Sequence, residues 1–532
     1  MRHMKAAHSG DPQDLDALRA LLTEQTLKNE VLTTENLRLT ARAQLLQEQL
    51  NLALARRYAA RSEQCAPDQI RLFDEAEAEA AGDGVAEDVL PVTVVAAHTR
   101  VKAGRRPLPA SLPRIVVIHT LPEPERICPH DGNLLTEIGV VTSEQLDIIP
   151  ASIRVLQHQR TQYACACGQC IKTAPLPAQP IPKSMASPGL LAHVVVSKYQ
   201  DALPLYRQEQ ILQRIGVDLP RATLAQWMIQ AGTLIQPLIN LLRDRLLAYD
   251  VLQMDETPVQ VLKEPGKTAQ SKSYLWVQRG GPPGQPVVLF DYDPGRGAHV
   301  PIRLLEGFQG ILQTDGYDGY NAVVRTQSLT HAGCLAHARR KFDEAIKAQG
   351  KHRHPGLAEE GLKRIQQLYA VEKACRTATP EVRQAYRAQH AHPLWTALRR
   401  WLDQSLPQVP PQGAIGKALL YLHHEWDKLV VYLQDGRLEI DNNRTENAIR
   451  PFCIGRRNWL FSDSVRGVKA SANLYSLIES AKANALEPYA YLRRVFTELP
   501  QADTVEALEA LLPGNLRPDQ INLAWPVAEL RR

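Results

Sequence analysis

The sequence predicts a multidomain α/β protein. Its mixed-sheet core is interrupted by an all-α insertion and preceded by a coiled coil, a small cysteine-rich module and a helical domain. Three observations predict this. A helix pattern without Gly or Pro runs from Leu15 to about Arg56. From Val251 onward, β-prone runs are separated first by turn residues and then by helical stretches, in the order β-β-β-α-β-α-β-α. Ala345 to Gln434 then carries Leu, Trp and Ala at helical spacing. A chain of 532 residues is long enough for several such units.

Residues 1–62 form the coiled-coil segment. Leu15, Leu22 and Leu50 fall on one heptad position and Leu18, Leu32, Leu39 and Leu46 on the other, with Asn29 and Asn36 interrupting the seam. Asparagine at core positions fixes register and oligomeric state at some cost in stability. The expected product is a homo-oligomer, at least a dimer. Residues 63–115 read as a linker, first acidic and then basic: Asp74 to Asp88 holds seven acids and no base, and Thr99 to Arg114 is rich in Pro and base. Arg105 and Arg106 are candidate phosphate contacts there.

Residues 116–174 resemble a zinc ribbon. Cys128-Pro-His-Asp131 precedes two β-like runs, and Cys165, Cys167 and Cys170 follow. Tetrahedral zinc can staple a module too small to bury its own core. Asp131 stands where a regular first knuckle has its second Cys, so the ligand set is Cys128, Cys165, Cys167 and Cys170 with Asp131, or with His130 or His158, alongside a vestigial ribbon without metal. Residues 175–248 read as helical, with a helix-turn-helix cadence: Gly216 supplies the turn, Val217 and Leu219 pack it, and Pro220 or Arg221 opens the second helix. Arg221 is a candidate DNA contact.

The core occupies 249–344, resumes at 436–500 after the insertion at 345–435, and leaves a tail at 501–532. Val251 to Leu262 surrounds the acidic pair Asp255-Glu256 with apolar residues. Successive strand side chains face opposite ways, so one of the pair is a spare. Pro258 is awkward in a central strand. The turn Gly280-Gly-Pro-Pro-Gly284 suits antiparallel neighbours. The element order is that of a ribonuclease-H-like fold, whose first and fourth strands are adjacent; this would place Asp255 beside Asp315. Glu446 lies one turn into the final helix, after Asp441-Asn-Asn-Arg-Thr. It could also complete a capping box with Asn443 as N-cap, and Arg450 stands four residues on for an ion pair. Three acids gathered at a sheet edge repel one another unless divalent cations neutralise them.

Net charge is +5, and the segment Arg444 to Lys469 carries six bases against Glu446 and Asp463. No apolar run reaches the length that spans a bilayer, and no apolar signal core follows the first residues. The expectation is a cytoplasmic, nucleoid-associated protein without membrane contact.

Five motifs in order carry a resemblance: Asp255-Glu-Thr-Pro, Thr314-Asp-Gly-Tyr-Asp-Gly-Tyr320, Cys334-Leu-Ala-His-Ala-Arg-Arg-Lys-Phe342, Asp435-Gly-Arg-Leu-Glu-Ile-Asp-Asn-Asn443 and Gly455-Arg-Arg-Asn-Trp-Leu-Phe461. On these the chain resembles the DDE transposases of the bacterial insertion-sequence sixty-six family, transposase C type. The resemblance implies that Asp255, Asp315 and Glu446 are an acidic triad holding two Mg²⁺ (or Mn²⁺). It also implies nicking at element ends followed by in-line attack of the freed 3′-hydroxyl on target DNA. Cys334 and His337 match the family's Cys-x-x-His signature and take a supporting role. Arg444, Arg450, Arg456, Arg457 and Lys469 would bind phosphates near the site, Trp426 and Trp459 are packing residues before DNA contacts, and small accessory proteins of the same element are expected partners. Thr445, Asn447, Asp131 and Gly514 depart from the family pattern, and none of them removes a carboxylate. The competing readings are a ribonuclease-H-like nuclease and a domesticated or inactive DNA-binding protein.

Overall fold

The computed structural model describes residues 12–58, 130, 133, 153–164, 171–350 and 356–521. Helix α1 (Pro12–Tyr58) matches the heptad stretch. Strands β1 (Gln162–Ala164) and β2 (Ile171–Thr173) form an antiparallel hairpin in a separate compact unit. The proposed zinc ligands Cys128, Asp131, Cys165, Cys167 and Cys170 lie outside the described residues, as do Arg105 and Arg106, whereas the alternatives His130 and His158 are described and exposed.

The larger unit continues with α2 (Pro188–Tyr199), α3 (Leu205–Arg214), α4 (Arg221–Leu234) and α5 (Gln236–Leu247). Helix α3 ends as its sequence dictates. Gly216 takes φ +81, and the Val217 amide reaches back to the Leu212 carbonyl at 3.0 Å, closing the C-terminus with a left-handed residue that glycine adopts without a Cβ penalty. Pro220 then caps α4, and Leu224, Trp227, Met228 and Ala231 bury its inner face.

Six strands follow: β3 (Val251–Lys263), β4 (Lys272–Gly280), β5 (Val287–Asp293), β6 (Ile311–Gln313), β7 (Thr330–Ala332) and, after the insertion, β8 (Ser462–Ser464). Their order is β5-β4-β3-β6-β7, with β8 paired to the end of β3. β3, β4 and β5 are antiparallel, whereas β6 runs parallel to β3 and β7 parallel to β6. Short helices α6 (His299–Leu304) and α7 (Gly319–Gln327) make the crossovers that parallel pairing requires. The first and fourth strands of the core are therefore neighbours. Pro258 is accommodated because β3 keeps only β4 opposite it. β6 pairs no further than Gln253 and β8 starts at Val261, so no described strand needs an amide on that side.

Helix α8 (Leu335–Ala348) follows β7, then α9 (Leu357–Ala374), α10 (Pro380–Ser405), α11 (Ala414–His424) and the single turn α12 (Trp426–Leu429). These helices close a second apolar core around Phe342, Ile365, Leu368, Trp395, Leu398 and Leu422. A buried Arg387 ties that core to the chain that re-enters the sheet. Its guanidinium pairs with both oxygens of Glu372 and donates to the carbonyls of Tyr432, Asp435 and Leu438.

The chain returns in α13 (Asn443–Trp459), α14 (Val465–Ala483) and α15 (Pro488–Glu498), and ends in the short helices α16 (Val505–Glu509) and α17 (Pro518–Ile521). α14 covers the open edge of the sheet. Ser476 and Ser480 accept the β5 amides of Phe290 and Val288 at 2.7 and 2.9 Å, which satisfies groups that an exposed edge strand would offer to another chain. Among the described residues no helix is long and apolar enough to cross a membrane.

Candidate active site

The site is built where β3, β6 and the start of α13 meet. The parallel register pairs Val251 with Ile311, Leu252 with Leu312 and Gln253 with Gln313. The pairing ends there: Asp255 stands two residues further along β3, and Asp315 two residues past the end of β6. Gln253 Nε2 donates to Gln313 Oε1 at 2.7 Å, so the paired side chains meet laterally. Asp255 lies mid-strand, two residues beyond the last pair with β6. Its Oδ1 accepts the Glu256 amide at 2.8 Å, and Asp315 Oδ1 accepts the Tyr317 amide at 3.0 Å.

Glu256 is the neighbouring acid of the pair. It is buried, holds Arg296 at 2.5 Å and accepts the Tyr320 hydroxyl. Arg296 in turn lies 4.0 Å from the Tyr317 ring centroid. Burial raises the Tyr320 phenol well above its ordinary range, and the negative fields of Glu256, Asp315 and Asp255 add to the shift. All three carboxylates are thus within electrostatic reach of one hydroxyl.

The third acid arrives by a different route. Thr445 Oγ1 donates to Gln253 Oε1 at 2.9 Å, and Gln313 Nε2 donates to the carbonyls of Glu439 and Gly333. Asn442 Nδ2 donates to the Met254 carbonyl at 3.0 Å. These buried bonds pin the first turn of α13 to β3 and β6. The capping-box geometry is absent: Asn442 is the N-cap, Asn443 is already helical, and the Asn442 side chain reaches the strand, not its own helix. Glu446 is buried and faces α8, with its oxygens 3.9 Å from His337 Nδ1 and 3.9 Å from the Arg340 guanidinium.

Cys334 Sγ, a ring nitrogen of His337 and a carboxylate oxygen of Glu446 lie within 4.8 Å of one another. The Cys334 sulfur accepts the Asn442 amide at 3.2 Å. Burial pushes the Cys334 thiol well up, and Glu446 and Asp441 push it further. Asp441 is a buried acid that sequence reasoning passed over. Tyr369 Oη and Asn443 Nδ2 each donate to its Oδ2 at 2.9 Å, yet burial still raises it to about 6. Arg340 was passed over as well. Its spacing from His337 on one helical face was the available signal.

The basic candidates separate by placement. Arg221 opens α4 and is exposed, 5.9 Å from the Tyr206 ring. Arg444 is half exposed and pairs with Glu439 at 2.5 Å. Arg450 is half-buried in α13, and Arg457 and Lys469 are exposed. Arg456 is turned inward: it is buried, donates to the Pro258 carbonyl and lies 5.5 Å from the Phe452 ring. Trp426 packs edge-on to Trp395 at 5.1 Å. The Trp459 ring covers Gly455, where a Cβ would come within 1.9 Å of it.

Family models match most of the chain. Residues 183–470 match the model described as Transposase IS66 family, and 476–513 match the IS66 C-terminal element. Residues 125–168 match the zinc-finger binding domain of transposase IS66, and 45–117, which includes the linker, match Transposase C of IS166 homeodomain. Similar proteins from Sinorhizobium fredii include uncharacterized protein y4jD, 37% identical over 437 residues, covering 78% of this chain and 83% of the relative. Uncharacterized protein y4qI is 32% identical over 438 residues, covering 80% of each.

Proposed function

The chain belongs to the IS66 transposase family, and from that premise we propose that it is a DDE transposase that nicks the ends of its element and joins them to target DNA. The observation that carries the proposal is the Gln253–Gln313–Thr445 network, which ties the helix of Glu446 to β3 and β6 where their pairing ends, two residues short of Asp255 and Asp315. The strand order and crossovers support a ribonuclease-H-like core.

The residues fit a hard divalent cation. Asp255, Asp315 and Glu446 offer the carboxylate oxygens that a hard cation prefers, and the charges of Asp255 and Asp315 both reach the Tyr320 hydroxyl. Mg²⁺ (or Mn²⁺) held by Asp255, Asp315 and Glu446 would supply charge neutralisation at the scissile phosphate and a low-pKa oxygen nucleophile. The protein does the positioning. Glu256 is engaged by Arg296 and Tyr320, and Asp255 is the member of the pair that serves the site. His337 and Arg340 orient Glu446 from α8, and Cys334 braces the Asn442 amide at the entrance of α13. Arg221, Arg444, Arg450, Arg457 and Lys469 contact DNA phosphates, while Arg456 holds the strand. Zinc in the ribbon, on Cys128, Cys165, Cys167 and Cys170 with Asp131, together with Arg105 and Arg106 in the homeodomain-matched stretch, extends end recognition. Self-association through α1 brings two ends together, inside the cytoplasm and on the nucleoid, with accessory proteins of the element as further partners.

The test is joining of labelled element ends to a plasmid by purified protein. Joining should require Mg²⁺, vanish with EDTA, and be lost in Asp255→Asn and Glu446→Gln while both variants still bind the ends. Full joining by Glu446→Gln would remove it from the triad, and binding without joining by the wild type would favour an inactive DNA-binding protein.

A further inference from the structure

The last residues of the motif Gly455-Arg-Arg-Asn-Trp-Leu-Phe461, Trp459 to Phe461, have no role in the reading above, yet their backbone is constrained. Leu460 closes α13 at φ 67 and ψ −47. The Phe461 amide bonds the Trp459 carbonyl at 2.8 Å, so residues 459–461 form a γ-turn of the rare positive-φ kind. A leucine in that conformation is strained and persists only where its surroundings impose it. The surroundings do so: β8 pairs Ser462 with Val261, Asn458 Nδ2 donates to the Ala202 carbonyl, Lys263 pairs with Asp463, and Lys198 Nζ sits 4.0 Å above the Trp459 ring.

What this frame displays is apolar. Leu460 is 63% exposed, Ile454 51% and Phe461 43%. Within residues 454–469 the other exposed residues are Arg457, Asn458, Arg466 and Lys469, cationic or neutral, and Asp463, which pairs with Lys263; exposed Asp201 adjoins the Ala202 that Asn458 contacts. A constrained apolar tip with Arg457, Arg466 and Lys469 on the same segment matches the way side chains wedge between base steps of duplex DNA while phosphates are held on either side.

We infer that Leu460, with Phe461 beside it, is a wedge that unstacks one base step of the bound element end. The inference rests on the transposase reading, which supplies the DNA. It also carries a distance. From Glu446 to Trp459 along α13 is about 20 Å at the helical rise per residue. From Asp255 to Val261 along β3 is again about 20 Å. The wedged step therefore lies within about 6 base pairs of the scissile phosphate, at about 3.4 Å per pair.

The experiment uses the full chain and duplexes carrying the element's terminal sequence, with 2-aminopurine moved one position at a time through the terminal region. Anisotropy of the same duplexes sets saturation. Wild type should raise 2-aminopurine emission severalfold at one step within that distance of the cleavage point. Leu460→Gly combined with Phe461→Ala should abolish the rise at saturation. Leu460→Gly alone should not lower the melting temperature, because glycine relieves the positive φ; this separates loss of the wedge from loss of the fold. An undiminished rise in the double variant overturns the wedge. So does saturable wild-type binding with no rise anywhere, which leaves the transposase reading standing. A change of oligomeric state in the variants with unchanged emission would assign the tip to a second copy instead. No wild-type binding to the ends would overturn the transposase reading itself.

Discussion

Replacing Gln313 with leucine should loosen the sheet centre and the third carboxylate together. Gln313 is fully buried, accepts from Gln253 Nε2, and donates to the carbonyls of Glu439 and Gly333. Leucine fills a similar volume but leaves one donor and two carbonyls without that partner. At roughly 1–3 kcal/mol per orphaned buried group, offset in part by apolar packing, the local cost is about 3–5 kcal/mol. Thr445→Val removes a single donor to Gln253 Oε1 and should cost only about 1–2 kcal/mol. The chain is multidomain, so a single global unfolding energy is poorly defined, and native-state hydrogen exchange is the assay. In Gln313→Leu the amides of Ile311 to Thr314 and of the first turns of α13 should exchange about 10² to 10³ times faster, since each tenfold corresponds to about 1.4 kcal/mol. In Thr445→Val the change should be about tenfold and confined to α13. An acceleration below fivefold in Gln313→Leu, or a larger effect from Thr445→Val, would refute the idea that this network joins the three acid-bearing elements.

Two further changes test the surroundings. Asp441 is raised from 3.8 to about 6 by burial, so the folded state binds its proton more tightly than the unfolded chain. Wild-type stability should therefore fall as pH rises from about 4 to about 6 and be flat above, a loss of up to about 3 kcal/mol. Asp441→Asn should remove that slope, raising the melting temperature at pH 8 but not at pH 4; an equal effect at both would show that the carboxyl does not titrate in this window. Gly232 faces α14, where a Cβ would come within 2.6 Å of the Ala470 Cα and Cβ. Gly232→Ala should cost about 1–3 kcal/mol through forced separation of α4 and α14, against the gain of about 1 kcal/mol that alanine brings to an isolated helix. A higher melting temperature would show that the two helices are not in such close contact.

Local rules carried much of this far. Gly216 with Pro220 marked a helix end and a helix start because glycine and proline act through their own φ, whatever surrounds them. The alternation of Asp255 and Glu256 followed from the strand period alone, and the folded chain pairs Glu256 with Arg296. The element order was readable because hydrophobic period and turn residues are local. Tertiary structure decided the rest. Asn443 and Glu446 had the spacing of a capping box, but Asn442 became the N-cap because its side chain and Thr445 found better partners on β3. Arg456 belonged to a run of bases in the sequence, yet folding turned it to the Pro258 carbonyl while Arg457, one residue on, stayed outside. Nothing in the sequence marked Arg387, and Asp441 stood in a motif without a role of its own, because their significance lies in partners up to dozens of residues away: three carbonyls and Glu372 for the first, and Tyr369 for the second. Sequence determined which residues could bear charge and where strands and helices would run. Only the folded chain determined which charges share a low-dielectric space, since burial and partnership are properties of the assembled fold.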